Sequence, residues 1–425
     1  MTFENFFAAQ SFFLWSTFII ALILGVIVNK TNFCTMGAVS DLVNMGDAGR
    51  MRAWVLAATV AMLGVLILEV AGLANLSNAT LPPYRGSEFQ WGRYILGGIM
   101  FGVGMTLASG CGNKTLIRIG GGNIKSILVF VIIAVIAYYM VDPYKELTAT
   151  WYQSLFAPWL GKASISLSTN QDLGSITGKW FGISALNMRI ILGLIIGAVV
   201  LFIVFRSADF RQSPDNILAG VVVGTAVLLA WYFTSGVAVV GDEGPQSLSK
   251  FYANWDFVMD SADGKPKNGS TNLLPQSFTF ISPIGQSFGF AASGFDSSFL
   301  SFGVVAVLGV ILGSLVWSLI SRSFRIEWFA SPKDFFNHVI GGVLMGFGGV
   351  LGLGCTVGQA ITGVSTLALG SFLVFLGIVF GSALTMKIQY YKLVYEDEAS
   401  FGKAFITALV DMKLLPAGLR KLDAV

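Results

Sequence analysis

Residues 95–111 read ILGGIMFGVGMTLASGC, and residues 339–355 read VIGGVLMGFGGVLGLGC. The two stretches align without gaps at an offset of 244 residues, and seven of their 17 positions are identical. Five identities pair glycine with glycine, one pairs leucine with leucine, and the last pairs Cys111 with Cys355. Most other positions exchange one apolar residue for another, and a hydrophobic segment follows each copy. This pattern predicts an internal duplication.

The composition around these copies is that of a membrane protein. The chain has 425 residues, of which 55% are hydrophobic and 12% are charged, whereas a soluble domain carries about 25% charged residues. This balance excludes a disordered chain and a nucleic-acid binder, and it argues against a soluble enzyme. One histidine and three widely spaced cysteines argue against histidine-based catalysis, a multi-histidine metal site and a disulfide framework. We therefore predict an all-α polytopic protein of the lipid bilayer with no cofactor and no resident metal.

Hydropathy predicts about nine crossings, because a membrane helix needs about 20 mostly apolar residues. Two of the crossings, 93–121 and 336–369, are rich in glycine and carry a cysteine near the middle, so we expect helices that break inside the membrane and line a cavity. Segments 31–45 and 275–295 are too polar or proline-rich to span and are expected to be re-entrant. The continuous crossings are predicted at 13–29, 53–75, 126–141, 187–205, 216–240, 300–320 and 371–388.

Basic residues cluster in alternate loops, which predicts an N-terminus outside the membrane and a C-terminus in the cytoplasm. The long loops 142–186 and 241–274 are less densely basic and are expected outside. The third and eighth crossings then run in opposite directions, so the duplication is inverted, which is an architecture of transporters. The predicted organisation is a first transmembrane repeat (1–141), an outer loop and connector helix (142–215), a second, inverted repeat (216–388) and a cytoplasmic tail (389–425).

The residues around Cys111 and Cys355 favour an anion. Flanking glycines free the backbone, and a half-helix that begins there directs its N–H groups and positive end at the break. A thiol adds a weak donor and a soft sulfur, which suits a sulfur anion. We predict no catalytic residue, and a substrate pathway along Cys34, Cys111 and Cys355. The candidate anion-binding residues are Gly110, Gly112, Asn113, Gly354, Thr356 and Ser282.

Each of these residues also has a plainer interpretation. A buried cysteine is commonly a small hydrophobic residue of the core. Ser282 either supplies a hydroxyl to the passage or has no such role. Glu69 is either a functional intramembrane acid or a side chain that reaches the interface. Lys114 either attracts an anion or anchors its helix at the cytoplasmic surface.

Three motifs resemble the YeeE/YedE family of membrane proteins. NKTNFCTMGAVSD (29–41) matches a first motif with the pattern FC-x-x-G-x-x-x-D, FGVGMTLASGCGNKTLIRIGGGN (101–123) resembles the second, and GGVLMGFGGVLGLGCTVGQAITG (341–363) resembles the third. FTFISPIGQS (278–287) resembles the region before the last repeat. The resemblance extends from about residue 24 to residue 386.

The resemblance implies a thiosulfate permease of the bacterial inner membrane, with an hourglass fold of inverted repeats. It also implies that the thiols of Cys34, Cys111 and Cys355 pass the anion along by transient hydrogen bonds without covalent chemistry. A TusA-like cytoplasmic sulfur carrier often works beside such permeases, and here it would be a separate chain. The sequence departs from the family where Ser109 replaces a glycine before the second cysteine and Leu353 replaces one before the third.

Other functions remain open at this point. A membrane thiol–disulfide oxidoreductase usually carries a C-x-x-C pair, which this sequence lacks. A structural protein of the membrane has no need for broken half-helices. A transporter or channel for sulfite, selenite or polysulfide is the other alternative.

Overall fold

A computed structural model of the chain describes residues 1–76, 79–241, 244–255, 265–267 and 269–422. Parts of the predicted loop 241–274 therefore lie outside the described residues. Within the described part, nine helical segments are long and apolar enough to cross a membrane. They are Phe6–Met45, Gly49–Val70, Trp91–Gly120, Ile124–Val141, Ala185–Arg206, Pro214–Gly236, Phe302–Ile320, Pro332–Leu351 and Leu369–Val394. The prediction of an all-α polytopic membrane protein is confirmed.

The helices follow one another with short connections, apart from two long loops. The α-helices are α1 (Phe6–Lys30), α2 (Thr35–Ser40), α3 (Gly49–Val70), α4 (Trp91–Leu107), α5 (Gly112–Gly120), α6 (Ile124–Val141), α7 (Ala157–Leu160), α8 (Leu173–Phe181), α9 (Ala185–Arg206), α10 (Ala208–Arg211), α11 (Pro214–Gly236), α12 (Leu248–Ala253), α13 (Ile281–Ala292), α14 (Phe302–Ile320), α15 (Pro332–Leu351), α16 (Leu369–Val394) and α17 (Phe401–Asp411). Wider π-helical turns are Asp41–Met45, Tyr152–Phe156 and Val357–Gly363, and short 3-10 turns are Ser270–Leu273, Ser297–Phe299, Glu396–Glu398 and Ala417–Leu419.

The described strands are short and lie outside the helical core. β1 (Thr2–Phe3) pairs in parallel with β4 (Ala238–Gly241), which pairs antiparallel with β5 (Gly244–Ser247); β2 (Glu88–Phe89) pairs antiparallel with β3 (Ile165–Ser166). These strands adjoin the segments 71–90 and 142–184, so we call this side of the protein the loop face. The opposite side, where α16 ends and α17 begins, is called the tail face.

Local capping explains where two predicted spans were misplaced. The first was predicted at 13–29, but α1 begins at Phe6, because the Asn5 side chain accepts a hydrogen bond from the Phe7 N–H. Phe6 is buried with its ring centroid 5.0 Å from that of Trp255. The second was predicted to reach residue 75, but α3 ends at Val70 and Gly72 turns the chain with a φ of 67°.

The two glycine-rich copies cross each other as antiparallel helices. Gly97 of α4 lies against Gly348 of α15, and Gly104 of α4 lies against Gly341 of α15. A methyl group added to Gly104 would lie 2.7 Å from the Gly341 carbonyl oxygen, and one added to Gly348 would lie 2.9 Å from the Gly97 carbonyl oxygen. In the sequence alignment, Gly97 pairs with Gly341 and Gly104 pairs with Gly348. In the structure, each of the four glycines contacts a glycine of the other aligned pair, in the opposite copy. Such an exchange is what a two-fold relation between the copies produces.

Two further glycine pairs have matching roles on the other side of these helices. Gly98 and Gly102 of α4 pack against the backbone of α16, while Gly342 and Gly346 of α15 pack against Ile132 and Ile136 of α6. α6 and α16 are the helices that follow the two copies. The contacts of α1 with α14 and of α11 with α3 form another matched set. The packing thus supports the predicted duplication.

The helix crossing supplies a test of this packing. Gly104→Ala is expected to lower the free energy of unfolding by about 1–3 kcal/mol, because the methyl overlaps a backbone that cannot move aside. The matched control is Gly402→Ala in α17, where nothing lies within 4 Å of the added carbon. Alanine favours helix at such an exposed position, so the control is expected to be neutral or slightly stabilising. Thermal unfolding in detergent measures both, and equal melting temperatures would refute the close crossing.

Candidate anion pathway

Cys111 lies at a break between two helices. α4 ends at Leu107, Ser109 adopts a left-handed backbone with a φ of 58°, and Cys111 is the N-cap residue of α5. The Gly110 N–H donates to the Met105 carbonyl at 2.8 Å, which closes the end of α4. The first turn of α5 is fixed by the Thr115 N–H, which donates to the Cys111 carbonyl at 2.9 Å.

Cys355 lies at the same kind of break in the second copy. Leu353 has a φ of 57°, and the Gly354 N–H donates to the Gly349 carbonyl at 2.8 Å. The Gln359 N–H donates to the Cys355 carbonyl at 2.9 Å, and the helix continues as the π-helical turn Val357–Gly363. Single π-turns are frequent at functional sites. The helix breaks predicted at both cysteines are confirmed, with the same backbone hydrogen bonds in each.

The two departures from the family pattern fall on this turn. Ser109 and Leu353 occupy equivalent positions of the two copies and share the left-handed backbone. Glycine adopts that conformation without steric cost, whereas a residue with a side chain does so at a cost on the order of 1 kcal/mol. Glycine at these positions in the family pattern therefore has a physical explanation, and both substitutions leave the turn in place.

The three thiols are free, buried and close together. Cys34 caps α2, the first part of the segment predicted to be re-entrant. Cys111 lies close to both Cys34 and Cys355. A methyl group on Gly112 would lie 3.8 Å from the Cβ of Cys355. The fold thus brings together residues that are separated by 321 positions from Cys34 to Cys355.

Backbone donors point at two of these sulfur atoms. The N–H groups of Val357, Gly358 and Phe280 are directed at Cys355, and the Lys114 N–H is directed at Cys111. Each donor lies at the beginning of a helical segment, where N–H groups lack a partner within the helix. A site with this arrangement favours negative charge next to the thiols.

Buried polar atoms without hydrogen bonds also surround the cysteines. In the described part of the chain, the hydroxyls of Thr35, Thr279 and Thr356 and the side-chain oxygen of Asn113 are buried and make no hydrogen bond. Thr35 and Thr356 directly follow cysteines, and the Thr356 hydroxyl faces Cys111 while that of Thr279 faces Cys355. Buried polar atoms in proteins are nearly always paired, so a cluster of unpaired ones indicates a ligand site.

A cavity of about 220 Å³ leads from the loop face to this cluster. Its walls include Thr279, Ser282 and Gly354, and it therefore ends beside Cys355. Arg93 contributes a positive charge to the wall: its guanidinium donates to the carbonyl oxygens of Leu351 and Val350 at 2.8 and 2.9 Å. These carbonyls end α15, so the cation is held at a helix C-terminus.

The tail side of the cluster carries another positive charge. The Lys114 ammonium donates to the Asn32 side-chain oxygen at 2.6 Å and interacts electrostatically with Cys34 and Cys111. Nearby, Arg50 forms an ion pair with Asp41 at 2.5 Å, so that its charge is balanced. Lys114, by contrast, is held by a neutral amide.

The structure places the predicted site residues in three groups. Ser282 and Gly354 line the cavity, while Gly112, Asn113 and Thr356 lie at the thiols. Gly110 closes the end of α4, and its free side contacts the Lys114 side chain, so its role is the turn itself. No group of three His, Cys, Asp or Glu side chains in the described ranges is placed to hold a metal ion.

Sequence reasoning overlooked three residues of the pathway. Thr35 and Thr279 were not singled out, because whether a hydroxyl finds a partner depends on the tertiary fold. Arg93 begins a segment that is otherwise apolar, and a charge at that position was an available signal.

Glu69, for which two interpretations were open, is a structural ion pair. Its carboxylate pairs with the guanidinium of Arg85 and lies 3.5 Å from that of Arg189. Arg189 also binds Asp172 at 2.8 Å, and Arg85 donates to the Thr366 carbonyl. Glu69 is therefore buried in an ion-pair network, and this network holds the turn that follows the second broken helix.

The comparisons with known proteins agree with this geometry. Residues 30–384 match the family model described as Sulphur transport. The thiosulfate transporter TsuA of Escherichia coli (strain K12) is 25% identical over 368 residues, covering 86% of this chain and 90% of the relative. The thiosulfate transporter TsuA of Spirochaeta thermophila (strain ATCC 700085 / DSM 6578 / Z-1203) is 23% identical over 381 residues, covering 87% and 97%. The family resemblance of the three cysteine motifs is confirmed, and the chain belongs to the sulphur transport family.

Proposed function

We propose that this protein is a permease that takes up thiosulfate, or a closely related sulfur anion, across the bacterial inner membrane. The observation that carries the proposal is the cluster of three free thiols, unpaired hydroxyls and aimed N–H groups at a double helix break. Thiols complement the soft terminal sulfur of thiosulfate, and hydroxyls and N–H groups complement its oxygens. The names of the two relatives support the same substrate.

We infer a route from the order of the groups. The anion enters the cavity of the loop face beside Arg93, and it reaches Cys355 first. Cys111 comes next, since it interacts with both other thiols, and Cys34 is last, near Lys114. Each contact is a weak S–H hydrogen bond, so the anion binds loosely enough to move on. No bond to cysteine forms in this relay, and the protein acts as a permease and not as an enzyme.

The arrangement in the membrane is part of the proposal. We propose repeats at 1–141 and 216–388 that run in opposite directions, a connector at 142–215 and a tail at 389–425. The loop face, with the N-terminus, lies in the periplasm and the tail face lies in the cytoplasm, because the basic loops and the tail lie on that side. A separate TusA-like sulfur carrier that accepts the anion at the tail face would complete the pathway.

Uptake measurements test the proposed substrate. Expressed in a bacterial strain that lacks its own sulfate and thiosulfate importers, the protein is expected to restore growth on thiosulfate and accumulation of the labelled ion. Sulfate is expected to compete poorly, since it has no terminal sulfur. If sulfite or selenite accumulates in preference to thiosulfate, the substrate assignment is wrong although the pathway stands.

Thr356→Val separates the role of this residue in transport from its role in folding. Its hydroxyl makes no hydrogen bond within the described residues, so its loss is expected to leave the free energy of unfolding unchanged or to raise it by about 1 kcal/mol. Uptake is expected to fall about tenfold, because one hydrogen bond to the anion is lost.

The matched control is Thr362→Val. Thr362 is equally buried, but its hydroxyl donates to the Phe278 carbonyl at 2.6 Å, so this substitution is expected to destabilise the protein by about 1–3 kcal/mol. The free energy of unfolding and the initial rate of uptake, measured for both variants, show whether the Thr356 hydroxyl acts in transport or in folding. If Thr356→Val destabilises the protein and leaves uptake unchanged, its hydroxyl is structural.

A further inference from the structure

A groove on the tail face lies apart from the thiol pathway. It encloses about 690 Å³ between α4, α15, α16 and the tail helix α17. Its floor is apolar, and the residues that form it include Val103, Leu384, Ile388 and Phe405. We call it the tail-face groove. A molecule that occupies the groove must contact the apolar floor, and a hydrated inorganic anion does not bind favourably to such a surface.

Two lysines stand at the rim of the tail-face groove. Lys333 lies in the first turn of α15, and Lys392 lies in the last turns of α16. Both side chains are exposed, and within the described residues neither forms an ion pair or hydrogen bond. The positive end of the α15 dipole adds to the charge of Lys333. The rim therefore attracts a negative group.

Within the described residues, the nearby carboxylates do not pair with these lysines: Glu396 and Glu398, in the short turn after α16, form no ion pair with Lys392. Asp334 is bound by the Lys125 ammonium at 2.9 Å and lies 3.1 Å from the His338 ring. Asp411 is paired with Arg420 and with Lys387, and it accepts a hydrogen bond from the Tyr391 hydroxyl at 2.6 Å. No carboxylate is among the described residues that line the groove. Within the described part of the chain, no ion pair compensates the two positive charges at the rim.

The depth of the groove defines its occupant. α15 begins and α16 ends at this level, so we place the lysines among the headgroups. The floor reaches Val103 in the last turns of α4, so it lies below them, within the hydrocarbon layer. The positive charge at the rim is complementary to an anionic headgroup, and the apolar surface below it is complementary to an acyl chain. A lipid carries both parts in one molecule. We propose that the tail-face groove binds an anionic phospholipid, with its phosphate between Lys333 and Lys392 and an acyl chain along the floor.

Native mass spectrometry of the full chain tests this site. The protein is released from nanodiscs of phosphatidylcholine that contain a minor share of phosphatidylglycerol, and bound lipids are counted. Wild type is expected to retain phosphatidylglycerol, and Lys333→Gln/Lys392→Gln is expected to bind it about 30-fold more weakly, since each lysine near the surface contributes about 1 kcal/mol. The matched control is Lys413→Gln/Lys421→Gln, which removes the same charge from two exposed tail residues outside the groove.

Two further arms make the result decisive. Val103→Trp fills the floor and leaves both lysines in place, and it is expected to displace the lipid as well. Excess sn-glycerol 3-phosphate is expected not to compete, because it has no acyl chain. The proposal is overturned if the rim variant retains phosphatidylglycerol like wild type, if the control loses it equally, or if the soluble headgroup displaces it.

Discussion

Cys111→Ala is expected to reduce thiosulfate uptake by about 10- to 100-fold, because a hydrogen bond to a charged ligand is worth about 1.5–3 kcal/mol. Of the three thiols, Cys111 is expected to have the largest effect on uptake when it is replaced. It lies close to both Cys34 and Cys355, and it takes the middle position in the proposed route. Alanine in its place removes one donor from the proposed relay. Initial rates of labelled-thiosulfate uptake, corrected for the amount of protein in the membrane, measure the effect.

Cys111→Ser is the matched variant for this experiment. Serine retains a hydrogen-bond donor of similar size. Its oxygen is hard, so it complements the terminal sulfur of thiosulfate less well than the polarizable sulfur of cysteine does. Uptake by the serine variant is expected to lie between those of wild type and the alanine variant. The α4–α5 turn itself depends on backbone hydrogen bonds, so both variants are expected to insert and fold. Equal uptake by all three proteins would remove Cys111 from the pathway.

Glu69→Ala is expected to destabilise the protein by about 3–5 kcal/mol, because it leaves two buried guanidinium groups without their shared carboxylate. The side chains of Arg85, Glu69 and Arg189 are at most 5% exposed. Burial pushes the pKa of the neighbouring Asp172 carboxyl up, but the hydrogen bonds and charge of Arg189 outweigh this and hold the pKa below its usual value. Its contribution to stability is therefore present in full at neutral pH and is lost only as the pH falls through that lowered pKa.

The matched control is Arg325→Met on the tail face. Arg325 pairs with Glu327 at 2.6 Å, but the two side chains are 78% and 38% exposed, so the change is expected to cost less than about 1 kcal/mol. Glu69→Leu/Arg85→Met removes both charges of the buried pair and is expected to recover part of the stability lost in Glu69→Ala. Thermal unfolding in detergent compares the variants. A Glu69→Ala melting temperature as high as that of Arg325→Met would show that the network contributes little.

The same network acts on the pathway through the backbone. Arg85 donates to the Thr366 carbonyl at 2.9 Å, and the adjacent Tyr84 hydroxyl donates to the Gly358 carbonyl at 2.7 Å. These bonds hold Gly358 at the beginning of the turn Val357–Gly363 and Thr366 just after its end, and the first N–H groups of this turn point at Cys355. Glu69→Ala is therefore expected to lower uptake per folded molecule as well, which distinguishes it from variants that only reduce the yield.

Much of the fold was predictable because one physical requirement dominates it. Apolar runs of the length of a bilayer must be helices, and this requirement gave all nine spans within the described residues. The aligned glycines predicted the duplication, and Gly97 and Gly341 make equivalent contacts in the structure, each against the opposite copy. The breaks at Cys111 and Cys355 followed from local glycine and polar residues.

The remaining features depend on residues that are distant in sequence. Glu69 finds its partners 16 and 120 positions away, and no local pattern connects Glu69 with Arg189. Likewise, Thr279 and Thr362 are both buried threonines. The hydroxyl of Thr279 faces Cys355 and makes no hydrogen bond within the described residues, whereas that of Thr362 donates to a backbone carbonyl. Hydrogen bonds that the protein leaves unmade are visible only in three dimensions, and here four such side-chain atoms, those of Thr35, Asn113, Thr279 and Thr356, lie beside the cysteines.

The central claim is that the thiols carry an intact anion without covalent chemistry. Sealed proteoliposomes that contain only this protein, supplied with thiosulfate labelled separately at its terminal sulfur and at its oxygens, test the claim most directly. Wild type is predicted to deliver both labels to the lumen in the supplied ratio and to leave Cys34, Cys111 and Cys355 unmodified, while the variant with alanine at all three positions delivers neither label. The claim is contradicted if the terminal sulfur separates from the oxygens or remains on a cysteine, or if the triple variant transports like wild type.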